Sequence, residues 1–294
     1  MSLADRWRRW HQTRRSSRWA VKTSLFLALL VVVMYPKLWL LPQTIDRLRN
    51  LDELIDPTDA RLEPLADAVR ERVAPDAGVA ATLEEVQRVV NERIPYMWDW
   101  DNWGVMLYLP TAGEALSRGR EDCDGRAVVA ASLLRRMGYE AWLVTDVLHM
   151  WVSTPAGDTM SPTGGAKTLR SARPGEEEPG TRMMLSVGVV KSFARGLSYG
   201  IGAFPLVREL ILIAGICLLT MHPRSSVRRR VVGCVLFLPA LFAIRAVGIR
   251  AAMDMSGAAV LVALAGGVLA LAAWLTLAIK GPVAADEPAR PLPE

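Results

Sequence analysis

Cysteine and histidine are scarce in this chain, with three of each among 294 residues. They are also dispersed. Cys217 and Cys234 fall in apolar runs and read as small buried hydrophobes. Cys123 is the one cysteine of the polar middle, so no disulfide within that region can involve it. His11 and His222 lie in basic flanks, and His149 is the one histidine of the polar middle, which excludes a Cys/His zinc site there. The arginine clusters have no recognition module beside them, so the net charge of +5 is not a nucleic-acid footprint.

Charge is missing from long stretches as well. The run from Val21 to Leu41 has none between Lys22 and Lys37, about the ~20 residues a bilayer requires. Tyr35, Lys37 and Trp39 fit an interfacial belt at its end. Arg6, Arg8, Arg9, Arg14, Arg15, Arg18 and Lys22 face the single acid Asp5, which by the positive-inside rule holds the N-terminus in the cytoplasm. The run exceeds a signal-peptide core and has no small-x-small site before Pro42, which favours an uncleaved anchor. Three further apolar runs, at 204–221, 231–247 and 255–279, predict three more spans, with Arg224, Arg228, Arg229 and Arg230 in one connection and Lys280 after the last. The expected organisation is a basic cytoplasmic tail (1–20), a span (21–41), an extracytoplasmic domain (43–196), three spans and a cytoplasmic tail (280–294). Such a chain is a multi-pass protein of the cytoplasmic, inner membrane of a bacterium, its basic flanks on anionic lipid and its domain periplasmic or extracellular. Within the second span, Arg208 and Glu209 are expected to pair at the outer edge.

The block from Gln43 to Gly196 is itself acidic, with 18 Lys and Arg against 24 Asp and Glu, a net −6. Its length suffices for one domain with its own core. Helical spacing marks Thr44 to Ile55 and Asp59 to Val73, Pro64 limiting where the second can start. Thr82 with Glu85, and Thr111 with Glu114, read as capping boxes opening two further helices. Between those lies YMWDWDNWGVMLYLP, dense in aromatics beside Asp99, Asp101 and Asn102. It suits the wall of a substrate groove, with the Trp103 indole N–H as an oxyanion donor, and equally a lid over the core or a patch on the membrane interface. YEAWLVTD and LHMWVST read as strands. Ala156 to Asp158 reads as a turn, TMSPTG as the start of a return strand, Gly164 to Thr181 as a loop, and Met183 to Val190 as a last strand.

The stretch EDCDGRAVVAASLLRRMG, Glu121 to Gly138, carries the chemistry. It puts Cys123 in the first turn of a very apolar helix, where the positive end of the helix dipole and Arg126 favour a thiolate and Asp122 and Asp124 oppose it. In the following strand His149, Trp151 and Ser153 share one face and Met150 and Val152 the other. A cysteine at a helix start and a histidine on a following strand form a nucleophile and its base.

Those residues resemble the transglutaminase-like domain of the papain-like cysteine enzymes. The run TAGEALSRGREDCDGRAVVAASLLRRMGYEAWLV and the HMWV around His149 carry the likeness, which spans about Leu83 to Thr163. The resemblance implies an α+β domain whose cysteine helix packs on an antiparallel sheet, here joined to four transmembrane α-helices. It implies catalysis by Cys123 and His149 without cofactor or metal, on a peptide or protein substrate with an amide bond. Trp103 and Trp151 would line the substrate site. The family's third member is an aspartate after the histidine, often in Asp-Pro-Thr; this chain reads Ser161-Pro162-Thr163, and Asp158 is the nearest acid. Three functions remain open: a thiol protease, amidase or acyltransferase; a non-catalytic binding or scaffold domain of the cell envelope; and a transporter or channel formed by the three C-terminal spans. Nothing in the sequence sets an oligomeric state.

Overall fold

The structure is a computed structural model that describes residues 15–74, 76–145, 149–161, 170–171, 204–221, 225–251 and 257–279. The chain divides into two compact units, residues 34–196 and residues 1–33 with 197–294. Expectations for the terminal tails at 1–14 and 280–294, for most of the Gly164–Thr181 loop and for the 183–190 strand lie outside the described residues.

The apolar unit consists of α1 (Arg15–Met34), α8 (Leu206–Thr220), α9 (Val227–Ala251) and α10 (Gly257–Ala278). By length and composition two helices can cross a membrane, at Ser16–Met34 and Val227–Gly248, while Leu264–Ala278 is apolar but shorter. Leu27, Val32, Val235, Phe242 and Leu264 lie exposed on these helices. Small residues let the helices approach: a Cβ at Gly266 would stand 3.2 Å from the Ala240 carbonyl of α9, and one at Gly233 would stand 3.2 Å from the Ala273 carbonyl of α10. Glu209 pairs with Arg245 of α9 at 2.5 Å and not with its neighbour Arg208, which donates to the Val33 carbonyl at 3.3 Å. Adjacent residues point to different faces of a helix, so a charge finds its partner on the next helix.

The first helix ends at Met34, short of the expected 41. Tyr35 precedes Pro36, which disfavours helical backbone there. Both side chains of the expected belt that lie closest to the helix end are drawn into the polar unit. The Tyr35 hydroxyl donates to the Leu107 carbonyl at 3.2 Å, and Lys37 Nζ to the Trp103 carbonyl at 2.8 Å.

The polar unit is α+β. In order it holds α2 (Leu40–Arg49), 3-10 turns at Leu51–Leu54 and Ala60–Leu62, α3 (Glu63–Arg72), α4 (Val79–Arg93), a short α5 (Asp99–Asn102), α6 (Ala112–Arg118) and α7 (Cys123–Arg136). Strands β1 (Trp142–Thr145), β2 (Met150–Thr154), β3 (Gly157–Thr159) and β4 (Arg170–Ser171) follow, in an antiparallel sheet of order β3-β2-β1-β4. Pro64 sits in the first turn of α3, where its missing N–H is not needed. Thr111 and Glu114 close the expected capping box of α6. Thr82 does not cap α4: that helix starts three residues earlier behind Gly78, and Thr82 is buried inside it. The strand β3 occupies residues expected to turn, and the turn falls one step earlier, at Pro155 and Ala156.

Helix α7 is the centre of this unit. From Ala127 to Leu134 every residue is buried, so the helix is apolar on all sides and must be surrounded. It packs against α3, α4, α6, β1 and β2. The sheet supplies Leu143, Met150 and Val152 to the same core, and its other face carries a smaller cluster of Trp142, Val144 and Trp151. This sandwich fixes the start of α7 at the rim of the core, beside β2.

Candidate active site

Cys123 is the first residue of α7, and the Asp122 side chain caps the helix by accepting from the Asp124 N–H at 3.1 Å. The Met150 backbone favours the Cys123 thiolate and α7 packs against β2, so the thiol lies near the first residue of that strand. Met150 follows His149 directly in the chain. The fold therefore brings the cysteine to the strand end that carries the histidine.

The histidine is held by main chain. His149 Nε2 is 2.8 Å from the Met160 carbonyl oxygen. A carbonyl only accepts, so Nε2 carries the proton in the neutral ring and Nδ1 carries the lone pair. Met160 has φ of 59°, unusual for a residue with a side chain, and its N–H donates to Gln87 Oε1 of α4 at 3.1 Å. On the other side the imidazole runs nearly parallel to the Trp151 ring, with centroids 6.5 Å apart and planes 12° apart.

Asp158 does not take the orienting role expected of it. Its Oδ1 accepts from the Ser153 hydroxyl at 2.6 Å across the β2–β3 pairing, four residues along the chain from His149. Trp103 is also placed differently from a groove residue: it is 9% exposed, and its indole N–H donates to Glu121 at 3.1 Å. With Tyr108, Val105 and Tyr35 it forms a buried side cluster. Trp151 is 5% exposed and contributes the flat side of its ring to His149. Ser161 is exposed.

The electrostatics oppose a resting thiolate. Burial pushes the Cys123 thiol well above its ordinary value, and the Asp124 and Asp122 carboxylates push the same way, against the Met150 N–H. The S–H donates to Asp124 Oδ1 at 3.4 Å, which holds the neutral form. Acidic neighbours thus outweigh the helix dipole, worth only about half a charge.

Behind the thiol lies an acidic group that the motif reading did not single out. Asp99, Glu121 and Asp122 are 2%, 0% and 7% exposed, and one ligand atom from each lies within 4.8 Å of the others. Burial lifts the Glu121 carboxyl to about 7 and those of Asp99 and Asp122 well above the usual range, each carboxylate disfavouring the next. Gly125 makes the space, because a Cβ there would meet Glu121 Cγ at 2.5 Å. These three carboxyls are the residues with the chemistry to hold a cation; Asp122, Cys123 and Asp124 form a second, overlapping group. The acids beside Cys123 and the Asp99–Asn102 segment were visible in the sequence, but their convergence depends on α5 folding back onto residue 121. The carbonyl of Met160 and the side chain of Gln87 had no sequence signal at all.

No protein-family model matches the chain, and no curated protein and no solved structure matches it.

Proposed function

We propose that the protein is a membrane-anchored thiol enzyme of the transglutaminase-like type, acting on amide or peptide bonds outside the cytoplasmic membrane. One observation carries this reading: Cys123 begins the central helix, which packs against the strand that follows His149, and the imidazole is held through Nε2 by the Met160 carbonyl. That tautomer leaves Nδ1 as the base. In the proposed reaction the Cys123 sulfur attacks the carbonyl carbon as its proton passes to Nδ1, and the tetrahedral intermediate expels the amine, which takes that proton. Water or a second amine then attacks the thioester, returning the thiol and giving hydrolysis or acyl transfer. Because the resting thiol is held neutral, proton transfer accompanies attack instead of preceding it. Four spans, with both termini and the arginine-rich connection inside, would hold the domain at the outer surface.

The raised thiol is the specific observation that favours a second reading, a non-catalytic envelope-binding domain that keeps the fold. A thiol-directed electrophile with a peptide-like recognition group separates the two. In the full chain, mass spectrometry of the labelled peptide is expected to show Cys123 modified at least tenfold faster than in His149→Ala, the loss of a general base costing roughly that or more. Equal rates would leave the binding reading.

A further inference from the structure

We propose that Asp99, Glu121 and Asp122, with the amide oxygen of Asn102, form a binding site for a divalent cation of the calcium class beneath the start of α7. The inference does not rest on thiol chemistry, and would stand if Cys123 proved inert.

Fixed N–H donors surround these carboxyls. Asp99 Oδ2 accepts from the Tyr108 N–H at 2.7 Å. Glu121 accepts from Asn102 Nδ2 at 2.9 Å and from the Trp103 indole at 3.1 Å. Asp122 Oδ1 accepts from the Asp124 N–H at 3.1 Å. Each of these N–H groups is satisfied by a carboxyl oxygen, which fixes the three side chains in place. No ion pair from Asp99, Glu121 or Asp122 occurs among the described residues. The Arg126 guanidinium interacts with Asp122 without forming an ion pair, and the helix end adds only about half a charge, against three carboxyls.

Two buried oxygens lack any partner, and they are independent pointers to a ligand. Asp99 Oδ1 and Asn102 Oδ1 are both inaccessible to solvent and accept no hydrogen bond. The Asn102 amide cannot be turned round to cure this. Its Nδ2 donates to the Arg120 carbonyl at 2.9 Å and to Glu121 Oε1 at 2.9 Å, both acceptors, so the opposite orientation would set oxygen against oxygen twice. The amide is thereby pinned to Glu121 with an unsatisfied oxygen. Buried acceptors are almost always satisfied, and an orphan calls for an ion or water.

Ligand type and burial choose the cation. Magnesium dehydrates reluctantly and keeps several waters, whereas calcium takes carboxylate and amide oxygens directly. One ligand atom from each carboxyl lies within 4.8 Å of the others, and the cluster is too buried for a large water shell. The set is all oxygen, which disfavours zinc and copper. Main chain holds the ligands in place. The Glu121 N–H donates to the Pro95 carbonyl at 3.1 Å and the Met97 N–H to the Glu121 carbonyl at 3.1 Å, tying the segment before α7 to the segment before α5.

Terbium(III) tests the site because it substitutes for calcium and emits when excited through a neighbouring indole, here Trp103. Chelator-treated full chain in detergent is expected to give saturable sensitised emission at one ion per chain. Calcium should displace the terbium at concentrations at which magnesium does not, and should raise the thermal midpoint relative to the chelated protein. Asp99→Asn should weaken terbium and calcium binding roughly tenfold or more through loss of a charged ligand. Asp67→Asn, on the exposed face of α3, should leave it unchanged. Absence of sensitised emission together with equal midpoints in calcium and chelator would overturn the proposal. So would equal displacement by magnesium, or wild-type affinity in Asp99→Asn. Should Asp99→Asn fail to fold, the wild-type titration with calcium and magnesium decides alone.

Discussion

The carbonyl oxygen of Met160 stands 2.8 Å from His149 Nε2. A carbonyl only accepts, so it fixes both the tautomer and the orientation of the ring.

The orientation depends on Gln87, which accepts the Met160 N–H at 3.1 Å and holds a left-handed residue in place. Gln87→Leu removes that acceptor, and is expected to slow electrophile labelling of Cys123 roughly fivefold, the equivalent of about 1 kcal/mol for one hydrogen bond. Gln87→Glu keeps an acceptor and should label near the wild-type rate. A merely structural role would show instead as equal loss in both variants, read from the labelling rate and its pH profile.

Gly125→Ala sets two effects against each other. Alanine gains about 1 kcal/mol of helix propensity, but its Cβ would meet Glu121 Cβ at 2.7 Å and Cγ at 2.5 Å, both held by a buried side chain. Overpacking of this kind costs about 1–3 kcal/mol, so the net change is destabilising. A lower thermal midpoint by tryptophan fluorescence is the expected outcome, and combining it with Glu121→Ala should cost less than the two changes summed.

Asp124 holds the thiol in its neutral form, as acceptor of the S–H and as a nearby charge. Asp124→Asn should bring the Cys123 thiol down and accelerate its alkylation by iodoacetamide at neutral pH. A free-energy change of about 1.4 kcal/mol in favour of the ionised sulfur raises the thiolate fraction roughly tenfold. Unchanged or slower alkylation would show that desolvation alone sets the thiol.

Glu114 should govern part of the acid stability. Burial raises its carboxyl, but Arg47 at 2.7 Å, the Thr111 N–H and the Tyr108 hydroxyl outweigh this and hold it below the ordinary value. A carboxyl lowered on folding stabilises the fold fully above its unfolded value of about 4.3, and the contribution is lost as pH falls through the folded value. Glu114→Gln should therefore be less stable than wild type at pH 7, the difference narrowing as pH drops from about 5 towards 3. Thermal midpoints across that range check the sign.

Local order in this protein is written in short stretches of sequence. The Thr111–Glu114 box, the placement of Cys123 at the first turn of α7, the alternation in β2 and the apolar runs all follow from neighbours a few residues apart. Such signals survive translation into structure because their energies are local. Thr82 shows the limit. There the helix runs three residues further back, behind Gly78, and the threonine is buried inside it.

What surrounds the thiol was decided by tertiary structure. Asp99 and Asn102 meet Glu121 across about twenty residues, Gln87 meets Met160 across 73, and Glu209 passes over Arg208 to reach Arg245. The sequence by itself determined a buried cysteine helix, a following strand with one histidine and apolar helices apart from them. Only the packed chain assigned the holder of that histidine, because a backbone carbonyl has no side chain to read and acquires its role from register. Only packing, likewise, turned scattered acids into a buried cluster, since burial raises the cost of each charge and gives their arrangement its meaning.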